Sequence, residues 1–147
     1  MSHTATINDV IISDENALRA TITELKSKGI KCELLENSMA RAYSAGQAGM
    51  DRPARFVIQL NDSPYDVGLY ERAEGTGYEA RTDLYQNHVR NILGSTRQEG
   101  ESTQQAALGK LFQTYAVNAA TLKATQQGMQ VNRVTKQDGT VQLRIVA

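Results

Sequence analysis

No tryptophan occurs in this chain, and its 147 residues hold one cysteine, two histidines and two prolines, with no surplus of charge of either sign. Each scarcity closes a class of function. A single thiol cannot form an internal disulfide, and Cys32 stands in the apolar alternation Ile30, Cys32, Leu34, where a small buried thiol packs well. A tetrahedral metal site takes about four ligands. His3, Cys32 and His88 are scattered singly with no short ligand spacing, so neither a metal nor a cofactor is expected. Sixteen basic residues offset sixteen acidic ones. No bulk positive field exists to gather phosphates or anionic lipid, and nucleic-acid contact is left to a local patch such as Arg133, Lys136 and Arg144. No run approaches the roughly 18 apolar residues that span a bilayer, and no basic segment followed by an apolar stretch opens the chain. The expectation is a soluble, cytoplasmic protein with no membrane contact.

His3 needs its own treatment. An amino terminus, two backbone amides and an imidazole at position three can make a square-planar nitrogen set for Cu(II) or Ni(II). Removal of Met1 before the small Ser2 moves the histidine to position two and leaves that set one amide short. His3 is therefore expected to be the edge of a first strand.

The length fits one domain, residues 1–147, with one core. Residues 4–12 are rich in β-branched side chains and predict a strand. Residues 13–29 predict a helix: Ser13 can cap it, Asp14 and Glu15 suit its positive end, Leu18, Ile22 and Leu25 share a stripe, and Gly29 stops it. A strand over 30–37 follows, then a small, polar stretch at 44–53 expected to be a mobile loop. Residues 54–60 form the next strand, with Phe56, Ile58 and Leu60 facing one way. After the 61–64 turn, strands at 65–71 and 77–85 pair around Gly75-Thr76-Gly77 as a hairpin. Val89, Ile92 and Leu93 predict a brief helix ending at Gly94, and 94–103 a solvated connection. From 101 to 128, Leu108, Leu111, Phe112, Tyr115, Ala119 and Leu122 share one face of a long helix closed by Gly128. The last 19 residues, 129–147, predict a hairpin on Asp138-Gly139. A two-residue loop there sets Val134 opposite Leu143 and Arg133 opposite Arg144, a like-charge pair that costs stability unless solvated or met by an anion. The fold class is thus α+β, a mainly antiparallel sheet with two long helices packed on it, in the order β-α-β-β-β-β-α-α-β-β.

Several of these features together resemble one family. They are Met1-Ser2-His3 before a strand, Tyr65-Asp66-Val67-Gly68-Leu69, Tyr115-Ala116 in a late helix, the Gly128-Met129 exit and the Asp138-Gly139 hairpin. The chain is similar over nearly its whole length to the family called hypothetical chloroplast reading frame thirty-five, or domain of unknown function twelve fifty-seven. Its members occur in plastids, cyanobacteria, other bacteria and some viruses of bacteria. Thr4 stands where the family usually has an aromatic residue, and the family's tryptophans are absent. The resemblance therefore implies a divergent, phage-borne member in a cytoplasm, plastid stroma or infected host. It implies a fold without implying a reaction, since the family has no established activity.

The chemical candidates are few. Asp62, Asp66, Glu71, Glu74, Glu79 and Asp83 gather around the 65–85 hairpin, where paired carboxylates could split their pKa values. Nothing fixes their spacing, and a solvated acidic surface is the default. Asp66, set between Tyr65 and Val67, is the first choice among them. Residues 75–80 match the glycine spacing of a dinucleotide loop, but strands flank it where a helix must follow. With no convergent polar constellation, the leading expectation is a non-catalytic protein-interaction or regulatory module. Its contact surface would be the hairpin, whose strands carry Tyr65, Tyr70, Tyr78 and Tyr85. Tyr70 and Tyr78 flank the turn, with Arg72 and Arg81 able to pair with partner carboxylates. The alternative is a small-ligand binder or enzyme using Tyr65, Asp66, Tyr70 and Arg81.

Overall fold

The computed structural model describes residues 11–95, 103–137 and 141–146. His3, the first-strand residues before Ile11, most of the 94–103 connection and the Asp138-Gly139 turn lie outside the described residues. Helix α1 (Glu15–Ser27) begins where expected, but its cap is Asp14, whose Oδ1 accepts from the Ala17 N–H at 3.1 Å. Ser13 does not cap with its side chain. Instead the backbone N–H groups of Ser13 and Asp14 both donate to the Tyr115 hydroxyl, each at 2.9 Å. A tertiary contact from the late helix thus satisfies donors that a helix start leaves open.

Strands β1 (Cys32–Ser38), β2 (Ala54–Leu60), β3 (Val67–Glu71) and β4 (Tyr78–Thr82) form one antiparallel sheet in that spatial order. Ile12 bridges Tyr78 at the outer edge of β4, through N–H···O distances of 3.2 and 2.9 Å. The end of the expected first strand therefore lies beside the last strand of the hairpin. The turn between β3 and β4 holds Gly75 and Gly77 at φ +78° and +89°, the left-handed region that glycine enters without strain. Glu71 pairs with Tyr78 across it, as the hairpin reading requires.

One face of the sheet meets the helices. Phe56, Ile58, Leu60, Val67 and Leu69 pack with Leu18, Ile22 and Leu25 of α1 and with Leu108, Leu111 and Tyr115, and Cys32 is buried among them. Burial pushes the Cys32 thiol above its ordinary value, which suits packing rather than thiolate chemistry. The expected continuous late helix is two, α4 (Thr103–Ala107) and α5 (Gly109–Gln126), parted at Leu108 with φ −113° and ψ 19°. The Ala106 carbonyl, which an unbroken helix would offer to the Lys110 N–H, accepts instead from the Ser95 N–H at 2.9 Å. Short helix α3 (His88–Leu93) ends just before Ser95 and buries Val89 and Leu93 against this junction.

The other face is where the sequence reading fails. Residues 44–53 are not a free loop but part of a strap laid across the sheet. It contains the single-turn helix α2 (Ala45–Ala48), and Met50 is fully buried. Ala40, Met50, Ala54, Val57 and Tyr70 form a second core, with Leu35, Ala42, Ala45 and Ala48 at its margin. Alanines let the strap lie close to the strands. Tyr70 lies over Gly68, where a Cβ would come within 2.6 Å of the ring, so only glycine leaves the ring its place.

Strands β5 (Gln130–Thr135) and β6 (Val141–Val146) make a separate two-stranded sheet rather than extending the first. Their register differs by one from the two-residue-loop reading: Thr135 pairs with Val141, Arg133 with Leu143 and Asn132 with Arg144. That shift removes the expected Arg133–Arg144 opposition, and Arg133 reaches Glu24 of α1 at 3.0 Å. Burial pushes the Glu24 carboxyl up, but hydrogen bonds from Arg133, Lys28 and Asn118 outweigh it and hold it below its ordinary value. A carboxylate with a lowered folded pKa contributes stability that is complete above the unfolded value, about 4.3, and is lost as pH falls through the folded pKa. Hydrogen-exchange protection of β5 and β6, corrected for intrinsic rates, is expected to fall below about pH 4. In Glu24→Gln it should be reduced at neutral pH and insensitive to acid; a hairpin equally protected in both proteins would show that the ion pair is not its anchor.

Candidate functional site

Of the two hairpin tyrosines expected to make contacts, Tyr70 lies in the interior and Tyr78 is half-buried. Tyr70 is only 1% exposed, with the Arg52 and Arg81 guanidinium groups 5.2 and 5.3 Å from its ring centroid. Its hydroxyl is buried with no hydrogen-bond partner among the described residues. Tyr78 is half-buried and meets Phe56 edge-on at 5.7 Å. Arg81 turns inward, donating to the Gly49 carbonyl at 2.9 Å and pairing with Glu79. Arg72 closes its own turn through the Thr76 carbonyl at 3.1 Å. Tyr70 therefore belongs to the second core, and Arg81 fastens the strap to the sheet.

Asp66 is likewise engaged. It is 1% exposed, and its two oxygens accept from the Arg41 N–H at 2.9 Å, the Arg41 guanidinium at 2.7 and 3.1 Å, and the Leu60 N–H at 3.2 Å. The backbone completes the knot, with Asp66 N–H donating to the Arg41 carbonyl and the Thr82 hydroxyl to the Asp66 carbonyl. A carboxylate held this way positions chain segments and has no lone pair free for acid–base work.

Asp83 does the same one residue beyond β4, and its arrangement exposes the candidate site. It is 7% exposed; its Oδ2 accepts from the Ser44 N–H at 2.7 Å and its Oδ1 from the Tyr85 N–H at 3.0 Å. One carboxylate thus holds the strap residue after Tyr43 and the backbone of Tyr85, and the two rings stack with centroids 4.2 Å apart and planes 10° from parallel. Both rings face solvent: Tyr43 is 64% exposed and Tyr85 43%. Beside them Tyr65 meets His88 edge-on at 5.5 Å. Burial, the Asp83 carboxylate and the Tyr85 and Tyr43 hydroxyls hold the Tyr65 pKa above its ordinary value, which ties all four groups to one locality.

The chain after Tyr85 is strained. Gln86 and Asn87 sit consecutively at φ +55° and +58°. Asparagine tolerates this region; glutamine in it costs on the order of 1 kcal/mol. The turn sets Tyr85 on the strap side of the sheet end while starting α3 at His88.

Of the residues singled out from the sequence, the structure brings Tyr65 and Tyr85 to this patch and leaves Tyr70, Tyr78, Arg72 and Arg81 outside it. Tyr43 was missed, and His88 was weighed as a metal ligand or a partner for serine and not as part of a contact surface. The signal for Tyr43 was its isolation: in 39–50, MARAYSAGQAGM, it is the one large aromatic among small residues, at no hydrophobic period. Among the described residues, no group of three or more histidine, cysteine, aspartate or glutamate side chains is placed to hold a metal ion, and no helix is long and apolar enough to cross a membrane. Comparison with known proteins assigns no relationship: no family model, no curated protein and no solved structure matches the chain.

Proposed function

We propose that this protein is a non-catalytic interaction module whose contact surface is the Tyr43–Tyr85 stack, with Tyr65 and His88 at its side. The observation that carries this reading is two tyrosines stacked face to face while both remain largely exposed. A stacked pair is pre-ordered, so little side-chain entropy is left to lose on binding, and tyrosine offers broad apolar area with a polar tip. The left-handed backbone at Gln86 and Asn87 lies in the same locality, directly after Tyr85. The alternative of catalysis by Tyr65 and Asp66 loses its base, because Arg41 and Leu60 occupy both carboxylate oxygens. The setting proposed with it is that of the sequence reading: a protein partner, met in the cytoplasm, plastid stroma or infected host cell, for a divergent member of the chloroplast-reading-frame family.

The double substitution Tyr43→Ala/Tyr85→Ala is expected to remove partners recovered by affinity capture from the host, while shifting stability by less than about 1 kcal/mol because neither ring is buried. Tyr70→Ala, the core control, should lower the unfolding midpoint. Capture unchanged by the double substitution would place the working surface elsewhere.

A further inference from the structure

The chemistry of the partner can be read from the charges around the stack. Asp83 is bonded to the backbone at both tyrosines, through the N–H groups of Ser44, next to Tyr43, and of Tyr85, and has no lysine or arginine within ion-pair distance among the described residues. Two backbone N–H groups satisfy its hydrogen bonds but bring no net positive charge. Of the strap's cations, Arg41 is matched to Asp66 by its guanidinium at 2.7 Å and Arg52 lies against the Tyr70 ring, and neither pairs with Asp83. The outer ring faces are themselves negative, because the π quadrupole puts electron density above the plane. Each ring turns one face to the other, and Tyr43, 64% exposed, is the more open of the two. A flat, electron-rich surface beside a carboxylate with no ion-pair partner among the described residues fits a flat cation.

We infer that the Tyr43–Tyr85 stack receives an arginine side chain from a partner polypeptide, its guanidinium lying parallel to the open face of Tyr43. The inference rests on the interaction-module reading and narrows it. Arginine is favoured over lysine because a planar, weakly hydrated guanidinium stacks on a ring, whereas an ammonium keeps its water. Single-stranded nucleic acid also stacks on tyrosine, but its phosphates would meet the Asp83 charge.

The test uses the full chain and four probes: the pentapeptide Gly-Arg-Gly-Arg-Gly, its citrulline and lysine counterparts, and a thymidine oligonucleotide. Binding is read from the tyrosine ring-proton resonances. The arginine peptide is expected to shift the Tyr43 and Tyr85 rings and to bind roughly two- to five-fold more tightly than the neutral citrulline peptide, as for a cation over an exposed ring. That preference should shrink as salt is raised. Tyr43→Phe should keep the binding, since the ring face remains, and Tyr43→Ala should lose it. Equal shifts from the citrulline and arginine peptides, no shift at these rings, or a preference for the oligonucleotide would overturn the inference. If host-partner capture still depends on the stack in that case, the interaction module stands and only its arginine fails; if capture is independent of the stack, both fall.

Discussion

Leu111→Ala is expected to destabilise the protein by about 2–5 kcal/mol, the range for a buried leucine that loses its packing and leaves a cavity. Leu111 is fully buried in α5 and belongs to the core that joins both long helices to Phe56, Ile58 and Leu60 of β2. The neighbouring Leu108 and Leu93 are fully buried too, so little slack exists for the site to collapse into the space. Phe112 and Leu122, read from the sequence as equal members of the same face, are only partly buried against this core, and alanine at either should cost less. Equilibrium denaturant unfolding measures the difference. A loss under about 0.5 kcal/mol for Leu111→Ala, the level of an ordinary surface change, would mean that the α5 face does not hold the core.

Asp66→Ala should cost about 3 kcal/mol, although the ion pair accounts for little of it. The Arg41 side chain is 45% exposed and can return to water when its partner is removed, so its charge pairing is discounted as for a surface pair. The larger loss falls on backbone donors. The ladder between β2 and β3 ends at the pair Ile58–Val67, and the Asp66 carboxylate then takes the Leu60 N–H in place of a strand partner. It takes the Arg41 N–H as well. Stripping the acceptor from such donors costs about 1–3 kcal/mol apiece where water cannot replace it. Asp66→Asn, which keeps one acceptor oxygen in place, should lose less than the alanine variant. Because Arg41 anchors the strap that carries Tyr43, Asp66→Ala should also broaden the Tyr43 ring resonances. Destabilisation below about 1 kcal/mol would show that the strap is held without this carboxylate.

Local signals were read correctly where periodicity and turn glycines act within one segment, although the α1 cap is Asp14 rather than Ser13. The α1 stripe Leu18, Ile22 and Leu25 is buried as its helical spacing requires, and Gly29 leaves the helix at φ +91°. The β3–β4 hairpin follows from glycines at two left-handed positions. Where two segments compete for one group, the reading failed. The late helix breaks because Ser95, far from it in pattern, takes the Ala106 carbonyl. The β5–β6 register departs from the shortest turn, and Arg133 finds Glu24 on another helix.

The candidate site was less legible than the fold for the same reason. Tyrosine has an apolar body and a polar tip, so alternation along a strand assigns Tyr70 to a face without saying whether that face is covered. The sequence by itself determined the α+β class, the helix at α1 with its apolar stripe, and the strands of the main sheet and of the last hairpin, because hydrophobic period and turn chemistry act over a few residues. Only the tertiary structure decided that the 39–50 strap covers the second face of the sheet, burying Tyr70 and lifting Tyr43 onto Tyr85. That outcome depends on Asp66, Asp83 and Arg81 each bonding a backbone group some 25 to 39 positions away in the chain. Such bonds join groups whose identities give no periodic pattern, and their partners are set only when the sheet has brought the segments together.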